Sequence, residues 1–278
     1  MRQQRLRWLS PVGFLDLAWT EWGPPEGRPV ICVHGLTRTG RDFDALARAL
    51  AAQGRRVLCP DLPGRGDSDW LPDPSLYQPP TYVTALGHLL ARLDGEVDWV
   101  GTSLGGICGI AIAALPRTPI RRLVLNDIGS HVPQPAMARI RDYMGGNTEF
   151  TDLAALEQHL REVHAPFGPL SDEEWRHLAE VSARPAAGGK ARLHYDPAIA
   201  DPIRAAEPAA IELGPFWQHV TAPTLVIRGA ESDLLLAETA AEMARRPGVR
   251  LAEIPGCGHA PALMAADQIA LVAEFLSG

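Results

Sequence analysis

The hydrophobic residues of this chain are grouped in short continuous runs that alternate with longer amphipathic segments. Continuous apolar runs are typical of strands that are buried on both faces of a parallel sheet. They occupy residues 30–34, 56–61, 97–100, 122–127, 224–228 and 249–254. Segments with helical periodicity separate or follow these apolar runs; they occupy residues 42–52, 81–93, 104–115, 238–245 and 267–276. The pattern predicts an α/β fold with a mostly parallel central sheet and helices on both faces.

Two segments depart from this alternation. Residues Leu6 to Trp22 alternate loosely around a Pro-Val-Gly turn and predict an N-terminal hairpin. Residues 130–219 contain no strand candidate, but have helical patterns at 137–143, 153–164 and 171–181, the last opened by a Ser-Asp-Glu-Glu capping box. We therefore predict a core formed by residues 1–129 and 220–278, interrupted by a helical cap at 130–219.

Composition narrows the function classes. The 278 residues carry a net charge of −7 and no concentrated basic run, which disfavours nucleic acid as a partner. The basic start Met1 to Arg7 is not followed by a long apolar run, so we expect neither a secretory signal nor membrane association, and a cytoplasmic location. The four cysteines lack C-x-x-C spacing and are predicted to be buried, reduced thiols. The oligomeric state is left open.

A candidate nucleophile lies at one strand-to-helix junction. Gly101-Thr102-Ser103-Leu104-Gly105 matches G-x-S-x-G between an apolar strand and a buried helix. In that context the glycines allow a sharp turn that exposes the serine side chain. A tight turn with an incidental serine is the alternative, and the flanking elements weigh against it.

A serine nucleophile needs a base and a group that orients the base. Among nine histidines, His259 alone lies in a glycine-rich loop after the last predicted strand, where open α/β sheets place reactive groups. If the chain order is Ser, acid, His, we expect Asp233, after the penultimate strand, to be the acid. Asp127, at the end of the strand after the nucleophile strand, is the alternative, and Glu231 is a weaker one.

An acyl-transfer site also needs fixed donors for the developing oxyanion. We expect these to be the backbone N–H groups of Leu104, directly after the nucleophile, and of Leu36 in the turn after the first long strand. His34 is expected to brace that turn rather than to transfer protons. No H-E-x-x-H or other metal-ligand spacing occurs, so we expect no metal and no cofactor.

These motifs together resemble the α/β-hydrolase fold superfamily, in its capped, esterase-like form. The resemblance covers nearly the whole chain and depends on the following segments: His34-Gly35, Asp61-Leu62-Pro63-Gly64-Arg65-Gly66-Asp67-Ser68, Gly101 to Gly105, Asn126 to Gly129, Ser232-Asp233 and Gly258-His259. The family implies a Ser103, Asp233, His259 triad with Leu36 and Leu104 as the oxyanion hole and a cap over the pocket. The first loop is His-Gly-Leu rather than the His-Gly-Gly-Gly of many lipases, which disfavours bulky lipase-type substrates.

The predicted function is that of a cofactor-independent serine hydrolase that cleaves small to medium carboxylic esters through an acyl-enzyme on Ser103. Family members with dehalogenase or epoxide hydrolase activity have an aspartate where this chain has Ser103. Hydrolysis of carbon–carbon bonds in ring-cleavage products, or of lactones, is the enzymatic alternative, and a ligand receptor is the non-enzymatic one. Arg38 could line the pocket entrance and favour an acidic substrate, or be an exposed loop arginine.

Overall fold

An eight-stranded sheet forms the centre of the computed structural model, which describes residues 1–146 and 148–278. Numbered in chain order, the strands are β1 (Arg2–Ser10), β2 (Gly13–Trp22), β3 (Pro29–Val33), β4 (Arg56–Pro60), β5 (Val97–Thr102), β6 (Ile120–Asn126), β7 (His131–Val132), β8 (Glu149–Phe150), β9 (Ala183–Pro185), β10 (Ala191–Leu193), β11 (Ile211–Glu212), β12 (Thr224–Gly229) and β13 (Val249–Ile254). The order in the main sheet is β1-β2-β4-β3-β5-β6-β12-β13.

The main sheet is parallel from β4 to β13, as the continuous apolar runs predict. The predicted hairpin is β1 and β2, which pair antiparallel and bring Leu6 opposite Leu17. β2 then pairs antiparallel with β4 and joins the hairpin to the sheet. The central strands are covered on both faces, so most of their side chains on either face are buried.

Helices cover both faces of this sheet. They are α1 (Asp44–Ala52), α2 (Pro79–Leu90), α3 (Leu104–Ala113), α4 (Gln134–Tyr143), α5 (Leu153–Val163), α6 (Asp172–Ser182), α7 (Ala200–Ala205), α8 (Gly214–Trp217), α9 (Ala237–Ala244) and α10 (Ala266–Ser277). One apolar layer contains side chains of α2, α3 and α9, and the opposite layer contains those of α1 and α10. The α/β class with helices on both faces is therefore confirmed.

No helix in the part of the chain that the structure describes is long and apolar enough to cross a lipid bilayer.

The segment 130–219 interrupts the core between β6 and β12, where the sequence predicted helices alone. The three predicted helices are present as α4, α5 and α6, and Ser171 and Glu174 form the predicted capping box. The prediction that it contains no strand is wrong, because β7 to β11 lie within it and form one three-stranded and one two-stranded sheet. These strands have only two or three residues each, too few to display an alternating pattern. That 130–219 acts as a separate cap domain stays a prediction.

The four cysteines are buried and form no disulfide, in agreement with the prediction of reduced thiols.

The start of α3 packs against the backbone of β3 at very short range. A Cβ atom built on Gly105 would lie 2.0 Å from the carbonyl oxygen of Val33, and the indole nitrogen of Trp99 donates a hydrogen bond of 3.1 Å to the Gly105 carbonyl. No side chain fits at Gly105. The glycine of the motif therefore fixes where the N-terminus of α3 sits on the sheet.

We predict that Gly105→Ala lowers the free energy of unfolding by about 2 kcal/mol or more, because the added methyl group meets backbone atoms that cannot rotate away. Gly87→Ala is the matched control: Gly87 lies exposed in α2, and a Cβ there would meet nothing within 4 Å. Its free energy of unfolding should be unchanged or rise by up to about 1 kcal/mol, because alanine favours the helix. Denaturant unfolding measures both, and equal stability of the two variants would contradict the prediction.

Candidate active site

Ser103 occupies the sharp turn between β5 and α3. Its backbone has φ 52° and ψ −114°, a conformation that non-glycine residues adopt only where the surroundings impose it. The Ser103 amide donates a hydrogen bond of 3.0 Å to the carbonyl of Asn126 on the neighbouring strand β6. The turn thus holds the hydroxyl at the carboxyl end of the sheet.

His259 lies in the loop after β13 and reaches the serine. Its Nε2 atom is 2.9 Å from Ser103 Oγ. The loop is also held by the segment before α6, since the amides of Gly258 and Ala262 donate to the carbonyls of Pro166 and Phe167. Residues of the segment 130–219 therefore contribute to the position of the histidine.

Asp127 completes the chain of hydrogen bonds. It follows β6, has no exposed surface, and its amide donates to the carbonyl of Ile227 on β12. Its Oδ2 atom is 2.7 Å from His259 Nδ1 and accepts a hydrogen bond of 2.5 Å from Ser232 Oγ. Its Oδ1 atom accepts a hydrogen bond of 2.8 Å from the amide of Gly229. These three donors compensate the burial of the carboxylate.

The partners of His259 also fix its tautomer. An ionised carboxylate only accepts hydrogen bonds, so Nδ1 carries the proton that is shared with Asp127. In the neutral ring Nε2 is then the acceptor, and it faces the hydroxyl of Ser103. This is the arrangement in which a serine can transfer its proton to a histidine as it attacks a carbonyl.

The structure corrects the predicted acid. Asp233 does not contact His259: both its carboxylate oxygens accept hydrogen bonds from Arg139, and its side chain is 53 % exposed. The preceding residue, Ser232, faces inward instead and donates to Asp127. Asp127, the alternative in the sequence analysis, is therefore the carboxylate beside the histidine. The sequence could not separate the two, because both follow core strands whose carboxyl ends lie at the same edge.

The role of Ser232 was not anticipated. Its Oγ donates to Asp127 and also accepts from the amides of Leu234 and Leu235, which turns the hydroxyl toward the carboxylate. Asn126 was likewise unassigned: its Nδ2 donates to Thr102 Oγ1 and to the carbonyl of Pro261, so it connects β5, β6 and the loop of His259. Both residues lie in segments that carry the family resemblance, but no local pattern in the sequence indicates either hydrogen-bond contact.

In the part of the chain that the structure describes, the two amides expected to bind an oxyanion donate to no other acceptor. Leu104 is the first residue of α3, a position whose N–H has no acceptor within the helix. The N–H of Leu36 has no acceptor among residues 1–146 and 148–278, and Leu36 lines the same cavity as Ser103. Their joint action as an oxyanion hole remains a prediction.

His34 occupies the turn before Leu36 and is fully enclosed. Its Nδ1 is 2.7 Å from the carbonyl of Gly35, to which it donates, and its Nε2 accepts a hydrogen bond of 2.9 Å from the amide of Leu62. Burial lowers the pKa of His34 to about 3, although the hydrogen bond to Gly35 opposes this shift. The ring is therefore neutral and braces two loops, consistent with the predicted role.

The cavity at Ser103 has a volume of about 70 Å³. Among the residues that the structure describes, the lining contains no aspartate or glutamate and two arginines, Arg38 and Arg139. Arg38 was considered as a residue of the pocket entrance or an exposed loop arginine. It is only 4 % exposed, so the exposed alternative is wrong, and it lies in the wall of the cavity.

Within the described residues, no group of three or more His, Cys, Asp or Glu side chains is arranged to hold a metal ion.

Residues 30–273 match the model of the alpha/beta hydrolase family. The chain belongs to the alpha/beta hydrolase family. Among its relatives is the 3-hydroxybutyrate-oligomer hydrolase of Cupriavidus necator, which is 44% identical over 97% of this chain and 96% of its own length. An esterase of Mycobacterium tuberculosis is 27% identical over 84% of this chain and 78% of that protein.

Solved structures agree with this assignment. An alpha/beta hydrolase from Novosphingobium aromaticivorans superposes with a TM-score of 0.88 at 38% identity, and the match covers 99% of this chain and 98% of that one. Hydrolase activity of this alpha/beta hydrolase is supported by its relatives, among them enzymes that are named for ester substrates or as esterases.

The neutral state of His34 predicts a pH dependence of stability. Its pKa in the folded chain, about 3, lies below the ordinary value of 6.5, so the unfolded chain binds the extra proton between these values. The corresponding stability is present above pH 6.5 and is lost as the pH falls toward 3. In His34→Gln, the side-chain amide can accept from Leu62 and donate to Gly35, but it does not titrate. Between pH 7 and pH 5, the free energy of unfolding of this variant should therefore fall by about 2 kcal/mol less than that of the unmodified chain.

Denaturant titrations at the two pH values measure this difference. An identical loss of stability in both proteins would show that His34 does not carry this pH dependence.

Proposed function

We propose that this alpha/beta hydrolase is a carboxylic ester hydrolase that uses Ser103 as nucleophile, His259 as general base and Asp127 as the orienting acid. The observation that carries the proposal is the continuous hydrogen-bonded line from Ser103 Oγ through the imidazole, 2.9 Å, to the buried carboxylate, 2.7 Å. Hydrogen-bond distances of this size are those a nucleophile–base–acid unit requires.

The reaction would proceed in two halves. Ser103 Oγ attacks the ester carbonyl carbon while its proton passes to His259 Nε2, and the carbonyl oxygen becomes an oxyanion facing the amides of Leu36 and Leu104. The carbon–oxygen bond of the leaving alcohol then breaks, and the alcohol takes the proton from the imidazole. A water repeats the sequence on the acyl-enzyme and releases the acid and free Ser103.

Asp127 would act on the imidazole without itself becoming protonated. It holds Nδ1–H toward itself and stabilises the positive charge that the ring gains in each half-reaction. Ser232 and the Gly229 amide keep the carboxylate in place for this role. The turn at Ser103 and the hydrogen bonds of His34 and Asn126 hold the serine, the turn before Leu36 and the histidine loop in place. Little reorganisation of the site is therefore needed during the reaction.

For the substrate we propose short oligoesters of a hydroxy acid such as 3-hydroxybutyrate. The support is the relative that is named a 3-hydroxybutyrate-oligomer hydrolase and that aligns over almost the whole of both chains. The small volume of the cavity favours short acyl units over long acyl chains. A cytoplasmic location and the absence of cofactor remain part of the proposal.

We predict that the purified chain hydrolyses the dimer and trimer of 3-hydroxybutyrate and short-chain p-nitrophenyl esters faster than long-chain esters. Ser103→Ala should lower kcat at least about a thousandfold, because no other group of the site supplies the nucleophile. Product formation followed by chromatography measures both. Lactones and a ring-cleavage dienoate belong in the same panel, and turnover confined to either of them would refute ester hydrolysis as the function. Activity that survives Ser103→Ala would refute the mechanism.

The acid is tested separately. Asp127→Asn should lower kcat at least about a hundredfold, because the amide can donate to Nδ1 and so favours the wrong tautomer of His259. Asp233→Asn is the matched control, and its activity should change less than about threefold, since it removes only an exposed ion pair with Arg139. Thermal melting checks that both variants are folded. A large loss of kcat in Asp233→Asn with little change in Asp127→Asn would instead indicate Asp233 as the acid.

A further inference from the structure

The guanidinium group of Arg38 has hydrogen-bond acceptors for only some of its nitrogen atoms. Its Nε and Nη2 atoms donate hydrogen bonds of 2.7 and 2.8 Å to the two carboxylate oxygens of Asp42. Its Nη1 atom is buried and has no acceptor among the residues that the structure describes. Buried arginine N–H groups are almost always hydrogen-bonded, because leaving one unpaired costs free energy. The missing acceptor at Nη1 therefore requires an explanation.

The position of this free donor is fixed by its surroundings. Asp42 holds one edge of the guanidinium, and the Arg38 amide donates to the carbonyl of Gly35 at 3.3 Å. The guanidinium carbon lies 5.9 Å from the centre of the Phe167 ring, within the range of a cation–π contact. The amide of Gly40 donates to the carboxylate of Asp61 and secures the following turn. Nη1 is thus held in place before any ligand arrives.

Arg38 is also close to the nucleophile. The point at which Gly35 would carry a Cβ atom is 3.7 Å from Ser103 Cβ and 3.9 Å from Arg38 Cγ. Both side chains line the cavity of about 70 Å³, and Arg38 also lines two smaller cavities next to it. Arg38 and Ser103 are therefore both next to Gly35 and share one cavity.

No negative charge in the described lining of the cavity opposes the binding of an anion. No carboxylate occurs in the described lining of this cavity, and Arg139, the other cation there, is already paired through Nε and Nη2 with Asp233. His164 adds no positive charge, since burial first and then the charge of Arg38 hold the pKa of its ring well below the usual value. Arg38 is paired with Asp42 in the same way, and it differs in having Nη1, a buried N–H donor with no acceptor among the described residues.

We propose that Nη1 of Arg38 binds a free carboxylate of the ester substrate and that Asp42 is the positioning residue for this contact. The proposal rests on the proposed function, because it takes the cleaved ester to be bound at Ser103. A carboxylate would accept a charge-assisted hydrogen bond from Nη1, whereas the carbonyl oxygen of a neutral ester or amide would accept only a weaker, uncharged one. The enzyme would thus select short oligoesters that end in a free acid over neutral esters of the same size.

Binding can be separated from turnover in the Ser103→Ala protein. We would measure calorimetrically its affinity for the 3-hydroxybutyrate dimer with a free carboxylate and for the same dimer as its terminal carboxamide. The carboxylate form should bind at least about tenfold more tightly, the effect expected of one charge-assisted hydrogen bond. Adding Arg38→Gln should reduce this preference to less than about threefold, and Arg38→Lys, which keeps the charge but lacks the fork, should retain part of it.

Two further variants serve as controls. Arg38→Gln combined with Asp42→Asn removes the whole ion pair without leaving a buried charge, and it should also lose the preference. Arg41→Gln removes a neighbouring arginine that pairs with Asp44 and does not line the cavity of Ser103, so it should keep the preference.

Equal binding of the two dimers, no measurable binding of either, or a preference that persists without Arg38 would overturn the proposal. Turnover is a separate readout: if the carboxylate form binds selectively through Arg38 but the chain with intact Ser103 does not hydrolyse it, the proposed function fails while the carboxylate site stands.

Discussion

The buried carboxylate of Asp127 is the interaction on which the geometry of the site depends. A fully enclosed negative charge is tolerated only if donors surround it, and those donors come from two places that are distant from Asp127 in the sequence. His259 lies in the loop after β13, and Gly229 and Ser232 lie at and just after the end of β12. Satisfying one charge therefore draws the loops after β12 and β13 together at the end of β6, and this places the imidazole against Ser103.

The close packing at the start of α3 is the second constraint. Gly105 lies directly on the Val33 carbonyl, and Ser103 has a backbone conformation with positive φ, so the proposed nucleophile lies at the centre of the sheet rather than on a free loop. His34 stays uncharged inside this region and joins the turn before Leu36 to the amide of Leu62. Serine, histidine and the candidate oxyanion donors thus share one stiff support, and preorganised polar groups of this kind lower the cost of developing charge.

The segment 130–219 contributes part of the cavity wall beside Ser103. Its residues Pro166 and Phe167 hold the histidine loop, and the Phe167 ring lies beside Arg38. The cavity that results is small, free of carboxylates in its described lining, and contains a buried arginine whose Nη1 lacks an acceptor. The loops at the end of the core sheet therefore carry the proposed catalytic groups, and the segment 130–219 supplies part of the wall of the cavity beside them.

The sequence by itself determined the α/β class, the parallel sheet, the serine at the strand-to-helix turn and the histidine after the last strand. These features follow from local patterns: continuous apolar runs, a glycine–serine–glycine turn and a glycine-rich loop. The tertiary structure decided which carboxylate lies beside His259, because Asp127 and Asp233 both follow core strands and only packing turns one inward and leaves the other against Arg139. It also decided the burial of Arg38 and the short strands β7 to β11, since contacts between distant residues and strands of two or three residues leave no periodic signal in the chain.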